Sequence, residues 1–267
     1  KNDMEFIRYR SSSPAGDLIS FLAGVKKMWE DTGKKGIFYQ RLGMQGVGYP
    51  DSIHPFLNGE DEPICMNKYM FDMLSPLICS QEYIEDFRVY DGEKVDFDFD
   101  LIRLERFTNQ PFGSLNRWYT YVFPQMASDI SLPWIKIHGD YKSDKVFINY
   151  TQRYRNPIIN YYFLREHEKH LVFAGLKKER DLFCEQWGLD IPLLEVKDFF
   201  ELGKHINGCR IFLGNASMCY QIAEALKVPR ILETFQRMPN VIPMGKDGYD
   251  FYAQSSLEYR FTKLLNS

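Results

Sequence analysis

Three short stretches carry the residues most able to do chemistry. In "SSSPAGDLISFLAGVKK" a carboxylate, Asp17, follows Gly16 where a strand gives way to a helix. An Asp at a helix start can serve as its N-cap, accepting the amide hydrogen two or three residues on. The same carboxylate at the mouth of a cleft can take a proton from an attacking hydroxyl. In "FLGNASMCYQIAEAL" an apolar run ends on Gly214, Asn215, Ala216 and Ser217, then passes directly into a helix from Met218. The first amides of such a helix lack intrahelical acceptors and can hold an anion, with the Ser217 hydroxyl as a further donor. The bland alternative is a small-residue turn suited to close helix–strand packing. "INYTQRYRN" places Thr151, Gln152, Arg153 and Arg155 just after a strand. The planar fork of arginine suits a diphosphate, although a solvated loop with surface ion pairs would read the same way.

Weaker signals fall away on inspection. "FAGLKKE", with Gly175 behind its strand, is accounted for by a tight turn into a helix. "HEKH" sets His167 and His170 three apart but brings no third ligand, so no metal site is expected. The alternating acids of "VDFDFD" fit a solvated strand face. The chain has no P-loop lysine motif, no serine nucleophile elbow and no Gly-x-Gly-x-x-Gly fingerprint.

The elements that must position these residues follow an α/β order. "EFIRYR" alternates as a strand, residues 17–30 form an amphipathic helix, and "GKKGIFYQR" is a second strand. This opening predicts a parallel sheet with a ligand at the carboxyl edge of its strands. Residues 43–67 are rich in Gly and Pro and predict an irregular excursion. "MFDMLSPLICSQEYI" predicts a helix interrupted at Pro76, "DFRVYDG" and "VDFDFDLIRL" predict strands, and "GSLNRWYTYVFPQM" predicts a helix. A polar linker is expected at residues 139–144. Beyond it, "KVFINY", "HLVFAGL", "RIFLG" and "RILE" are strands. Between them come the helices "KKERDLFCEQW", "DFFELGKHING" and the one following Ser217. The pattern predicts two Rossmann-like, doubly wound halves, residues 1–138 and 139–267, facing a cleft.

Composition narrows the function classes. The 267 residues suffice for one large or two smaller domains, and 45% hydrophobic with 26% charged residues is a globular balance. A net charge of -3 gives no broad basic surface for nucleic acid. Five widely spaced cysteines without a Cys-x-x-Cys pair suggest reduced thiols and a cytoplasmic setting. No run is apolar and long enough to span a bilayer.

These motifs also resemble a known family. "GDLISFLAGVKKM" is similar to the Gly-Asp helix start of the ADP-heptose:lipopolysaccharide heptosyltransferases, the GT-B glycosyltransferases of family nine. "KVFINY…HLVFAGLKKE…FFELGKHINGCRIFLGNASMCYQIAEALKVP" follows the order of that family's nucleotide-sugar domain. The likeness covers both ends and most of the second half; residues 43–134 match only in pattern. It implies a GT-B-like fold and metal-independent hexosyl or heptosyl transfer, without a cofactor, from a nucleotide-diphosphate sugar to an acceptor hydroxyl. Asp17 falls on the family's catalytic aspartate, and Asn215, Ala216 and Ser217 fall on its phosphate-contacting turn. The full donor set is Gly16, Thr151, Gln152, Arg153, Gly175, Gly214, Asn215, Ala216, Ser217 and Met218. Ala216 stands where the family has an acidic residue and Gln221 where it has a histidine, which points away from heptose. The acceptor classes implied are a glycan, a lipid-linked sugar, a protein, or DNA with hydroxymethylated bases. A non-catalytic module that binds a nucleotide or glycan is the competing reading.

Overall fold

The computed structural model describes residues 5–46, 64–103, 113–139 and 141–267. Two sheets organise them. The first contains β1 (Ile7–Ser11), β2 (Gly36–Gln40), β3 (Ile84–Val89) and β4 (Phe97–Asp98), in the order β3-β2-β1-β4. The helix α1 (Ala15–Thr32) connects β1 to β2, and α2 (Lys68–Cys79) precedes β3. The second sheet contains β5 (Val146–Asn149), β6 (Leu171–Phe173), β7 (Ile211–Asn215), β8 (Arg230–Glu233) and β9 (Gly248–Phe251), in the order β6-β5-β7-β8-β9. Its helices are α3 (Lys177–Trp187), α4 (Phe199–Gly208), α5 (Met218–Leu226) and α6 (Gln254–Leu265). Every strand pairing is parallel.

Alternation along the strands decides which layer each face meets. Phe147, Phe212 and Leu232 of the second sheet point toward the first half and join its core. Val146, Ile148, Ile211, Leu213 and Ile231 point the other way, onto Phe183 and Trp187 of α3 and Leu257 and Phe261 of α6. Burial on both faces is why these strands read as nearly unbroken apolar runs. Aromatic rings fill the first half: Phe21 stacks on Phe99 at 4.3 Å and Phe71 on Phe87 at 4.3 Å.

The two halves share one core. It runs from β1 through α1 and α2 into α4 and α5. Trp134 pins this contact, donating its indole N–H to the Ile19 carbonyl (2.9 Å) while its own amide reaches the Ala225 carbonyl (3.0 Å).

Several local expectations change. Only Phe97–Asp98 of "VDFDFDLIRL" pairs as strand, because the Asp98 carboxylate accepts the Asp100 N–H (3.0 Å) and turns Phe99–Arg103 into a 3-10 helix. α2 continues through Pro76 for one further turn, although Pro76 has no N–H to donate to the Asp72 carbonyl. "GSLNRWYTYVFPQM" forms two 3-10 helices, Leu115–Tyr121 and Pro124–Met126, rather than one α-helix. β9 and α6, which complete the second sheet, carry no sequence prediction. In the expected linker, the Ser143 N–H bonds the Gly208 carbonyl (2.9 Å) and Tyr141 meets His205 edge-on, so it packs on α4. Most of the excursion expected at 43–67, namely 47–63, lies outside the described residues, as does Asp140.

Candidate active site

A parallel sheet opens a crevice where neighbouring strands send their connections to opposite faces, and ligands bind beyond the carboxyl ends of the strands there. In the second sheet that point lies between β5 and β7, and in the first between β1 and β4. The residues singled out from sequence converge on these two points.

Between β5 and β7 the side chains are largely committed to each other. Asn215 is fully buried. Its Oδ1 accepts the Thr151 N–H (3.0 Å) and hydroxyl (3.3 Å), and its Nδ2 donates to the carbonyls of Thr151 (3.0 Å) and Arg153 (2.9 Å). Asn215 therefore faces inward and holds the Thr151–Gln152–Arg153 loop in place. Ser217 is the N-cap of α5: its Oγ accepts the Tyr220 N–H (3.1 Å) and donates its hydrogen to Asn149 Oδ1 (2.7 Å). That leaves the hydroxyl no hydrogen for an anion. Asn149 in turn donates to the Ala174 carbonyl (2.6 Å), joining β5, β6 and α5. A Cβ on Gly214 would lie 2.5 Å from the Asn149 carbonyl oxygen, so glycine is what lets β7 approach β5 here. A Cβ on Gly175 would lie 2.9 Å from the Phe173 ring and 3.1 Å from Asn149 Nδ2. Beyond these side chains the first amides of α5, at Met218 and Cys219, have no acceptor within the helix, and they follow half-buried Ala216.

The charged groups beside this helix start divide into two sets. Arg153 lies over the Tyr154 ring, 5.6 Å from its centroid, within electrostatic range of Glu179 and Cys219. Arg155 turns away, donating to Gln152 Oε1 (3.3 Å) and Gln186 Oε1 (3.0 Å) over the Tyr150 ring. Between the two arginines Tyr154 sits in the left-handed region at φ 59°, uncommon for a side-chain-bearing residue. Below the loop, buried Glu233 accepts the Asn156 N–H (3.2 Å) and the hydroxyls of Tyr161 (3.0 Å) and Tyr150. Burial raises its pKa.

Glu179 is a site residue that the turn reading of "FAGLKKE" passed over. It stands at the third position of α3, 5% exposed, and its Oε1 accepts the Leu176 N–H (3.2 Å) in a capping box. Burial pushes its carboxyl up to about 7, against the Leu176 hydrogen bond and the Arg153 charge, which pull it down. The sequence signal was present: an acid three residues past a helix start, behind a strand.

At the first sheet's crevice, Asp100 fixes the loop leading to Asp17. Its carboxylate accepts the Ser12 N–H (2.7 Å), the Ser12 hydroxyl (2.5 Å) and Arg10 Nη2 (3.1 Å). Asp17 itself is not the N-cap that its position after Gly16 suggested. The cap is Pro14, whose carbonyl accepts the Leu18 N–H (3.1 Å), so α1 begins two residues earlier and Asp17 is its third residue, half-buried. Gly16 meets the other half directly: a Cβ there would lie 3.7 Å from both the N and Cα of Met218. The starts of α1 and α5 thus abut at Gly16 and Met218, with Asp17 the next residue along α1. His167 and His170 lie in the 3-10 helix Tyr162–His170, where His167 packs on Phe261 and His170 nears Asp144 at 4.0 Å.

Comparison of shapes supplies the frame. The chain superposes on E. coli ADP-heptose LPS heptosyltransferase II with a TM-score of 0.61, covering 98% of this chain and 98% of that one, at 11% identity. E. coli heptosyltransferase WaaC with ADP-2-deoxy-2-fluoro heptose gives 0.59 over 96% and 98% at 9% identity. A family 9 glycosyl transferase from Veillonella parvula gives 0.58 over 99% and 90% at 11% identity. The chain has the GT-B fold of the family-nine glycosyltransferases. By sequence, no protein-family model and no curated protein matches it. In this GT-B frame the Gly16–Met218 contact lies between the switch points of the two sheets. A separate concavity of about 300 Å³, lined by Arg117, Thr120, Asp129 and Met244 among others, shares no residue with it. No helix among the described residues is long and apolar enough to cross a membrane.

Proposed function

We propose that the protein is a glycosyltransferase that moves a sugar from a nucleotide-diphosphate donor to an acceptor hydroxyl. The observation that carries this is the meeting of two helix starts at Gly16 and Met218, one bearing a carboxylate and the other beginning with amides that have no acceptor within their own helix. The diphosphate would bind the amides of Met218 and Cys219, with Arg153 supplying positive charge alongside. Preorganised donors of this kind stabilise the charge that develops on a leaving group, the task a divalent ion would otherwise perform. Asp17 would take the proton of the acceptor hydroxyl as its oxygen attacks the anomeric carbon and the bond to the diphosphate breaks. The donor class is supported by neighbours of the same fold named for ADP-heptose or solved with ADP.

Asn215, Asn149, Asp100 and Glu233 serve this reading as positioning groups, since each ties a site loop to a buried strand end. The test compares wild type with Arg153→Ala in binding ADP, GDP and UDP, and with Asp17→Asn in donor turnover. Weaker binding in the first variant and lost turnover in the second support transfer. Diphosphate binding with turnover untouched by Asp17→Asn would favour a binding module. Absence of binding to every diphosphate would end the reading.

A further inference from the structure

Gln221 is a buried amide with nothing to bond. It is 3% exposed at the fourth position of α5, and among the described residues neither its nitrogen nor its oxygen has a hydrogen-bond partner. Helical side chains lean toward the N-terminus, and the Gln221 Cγ would touch a Cβ on Gly16 at 3.9 Å. The carboxamide therefore lies over the first turn of α5, against the start of α1. A second amide adjoins the same segment: fully buried Gln40 donates to the Ser13 carbonyl (3.0 Å) while its Oε1 is unpaired. Buried polar atoms are nearly always satisfied, and leaving them bare is costly. An apolar side chain of similar length would fill the space beside Gly16 without that cost.

The location says what the amide awaits. The argument rests on the donor reading above, in which the diphosphate sits on α5 and the base is Asp17. The anomeric carbon must then lie between them, and Gln221 stands beside that junction. A carboxamide offers one face that donates and one that accepts. A sugar hydroxyl also does both, whereas a phosphate or carboxylate only accepts and would leave the amide oxygen bare. We propose that Gln221 is a specificity-determining residue that hydrogen-bonds an uncharged hydroxyl of the transferred sugar.

The test uses the full chain and titration calorimetry with ADP, GDP and UDP against ADP-heptose, ADP-glucose, GDP-mannose and UDP-glucose. In wild type, at least one sugar nucleotide binds more tightly than its own diphosphate. Gln221→Met should lose that increment, about tenfold for a hydrogen-bonded amide, and keep diphosphate affinity within about twofold. The melting temperature of the ligand-free variant should equal or exceed that of wild type, because an unsatisfied amide has been removed. If Gln221→Met does not fold, Gln221→Asn, one methylene short of reach, should show the same selective loss. An unchanged increment, an equal loss for diphosphate and sugar nucleotide, or no increment in wild type would each overturn the assignment. Failure of wild type to bind any diphosphate would instead remove the donor reading, and this assignment with it.

Discussion

Replacing Glu179 by Gln should make the protein more stable, and only above mildly acidic pH. The carboxyl of Glu179 is raised from 4.5 to about 7, chiefly by burial. The folded state therefore keeps a proton that the unfolded chain releases between those two values. The contribution of Glu179 to stability is fully present below about pH 4.5 and is lost as pH rises through about 7. At about 1.4 kcal/mol for each pH unit, ionising the buried group costs on the order of 3 kcal/mol. Glutamine is the same size, stays neutral, and can still accept the Leu176 N–H, since a capping box takes Glu or Gln. The measurement is urea unfolding of wild type and Glu179→Gln at pH 5, 6, 7 and 8. The two should be close at pH 5, with the variant ahead by on the order of 3 kcal/mol at pH 8. Titrations shared by both proteins cancel in the difference. Parallel curves would refute the buried-acid account. A wild type that gains on the variant as pH rises would mean that Arg153 outweighs burial.

Other perturbations have equally definite outcomes. Asp17→Asn should cut turnover of a sugar nucleotide by roughly 10²–10⁴-fold while lowering stability by no more than about 1 kcal/mol, the helix-dipole contribution of a first-turn carboxylate. Ser217→Ala removes the cap of α5 and should cost about 1 kcal/mol, read as a lower urea midpoint, with diphosphate binding weakened by fraying of the first turn. Glu224→Gln should destabilise by roughly 3–5 kcal/mol. Glu224 is the only carboxylate bonded to fully buried Arg230 (2.8 and 3.0 Å) among the described residues, and it also pairs with Lys227. Near-native unfolding of that variant would show that the carbonyls of Met244, Val228 and Lys246 suffice for Arg230.

How much of this could be read from the chain alone depends on the range of the interaction. The strand–helix alternation and the small-residue entry to α5 were legible because each is set within a few residues. Hydrophobic period and capping chemistry act over one or two helical turns. Four strands of the second sheet were also legible, since strands buried on both faces leave unbroken apolar runs, whereas the half-exposed β9 leaves none. The cap of α1 was misplaced by three residues even so: Pro14 can end an extended segment and still lend its carbonyl to the first helical bond, and Gly16 looked like loop. The 3-10 turn at Phe99 escaped because a side-chain bond from Asp98 overrode an alternating pattern.

By itself the sequence determined the alternation of strands and helices in both halves, the site's two helix starts and a resemblance in pattern to family-nine transferases. Tertiary structure decided what each polar side chain does there. Asn215 looked like a ligand contact and is turned onto a loop 62 and 64 residues away in sequence. Ser217 is committed to Asn149, 68 residues away, and Glu179 becomes a near-neutral acid only because the fold closes over it. A hydrogen bond needs a partner within about 3 Å and in line, and dehydration needs a surrounding shell. Neither is fixed by local spacing along the chain, so the roles emerge only when β5, β6 and β7 pair and α3 and α5 pack at their ends.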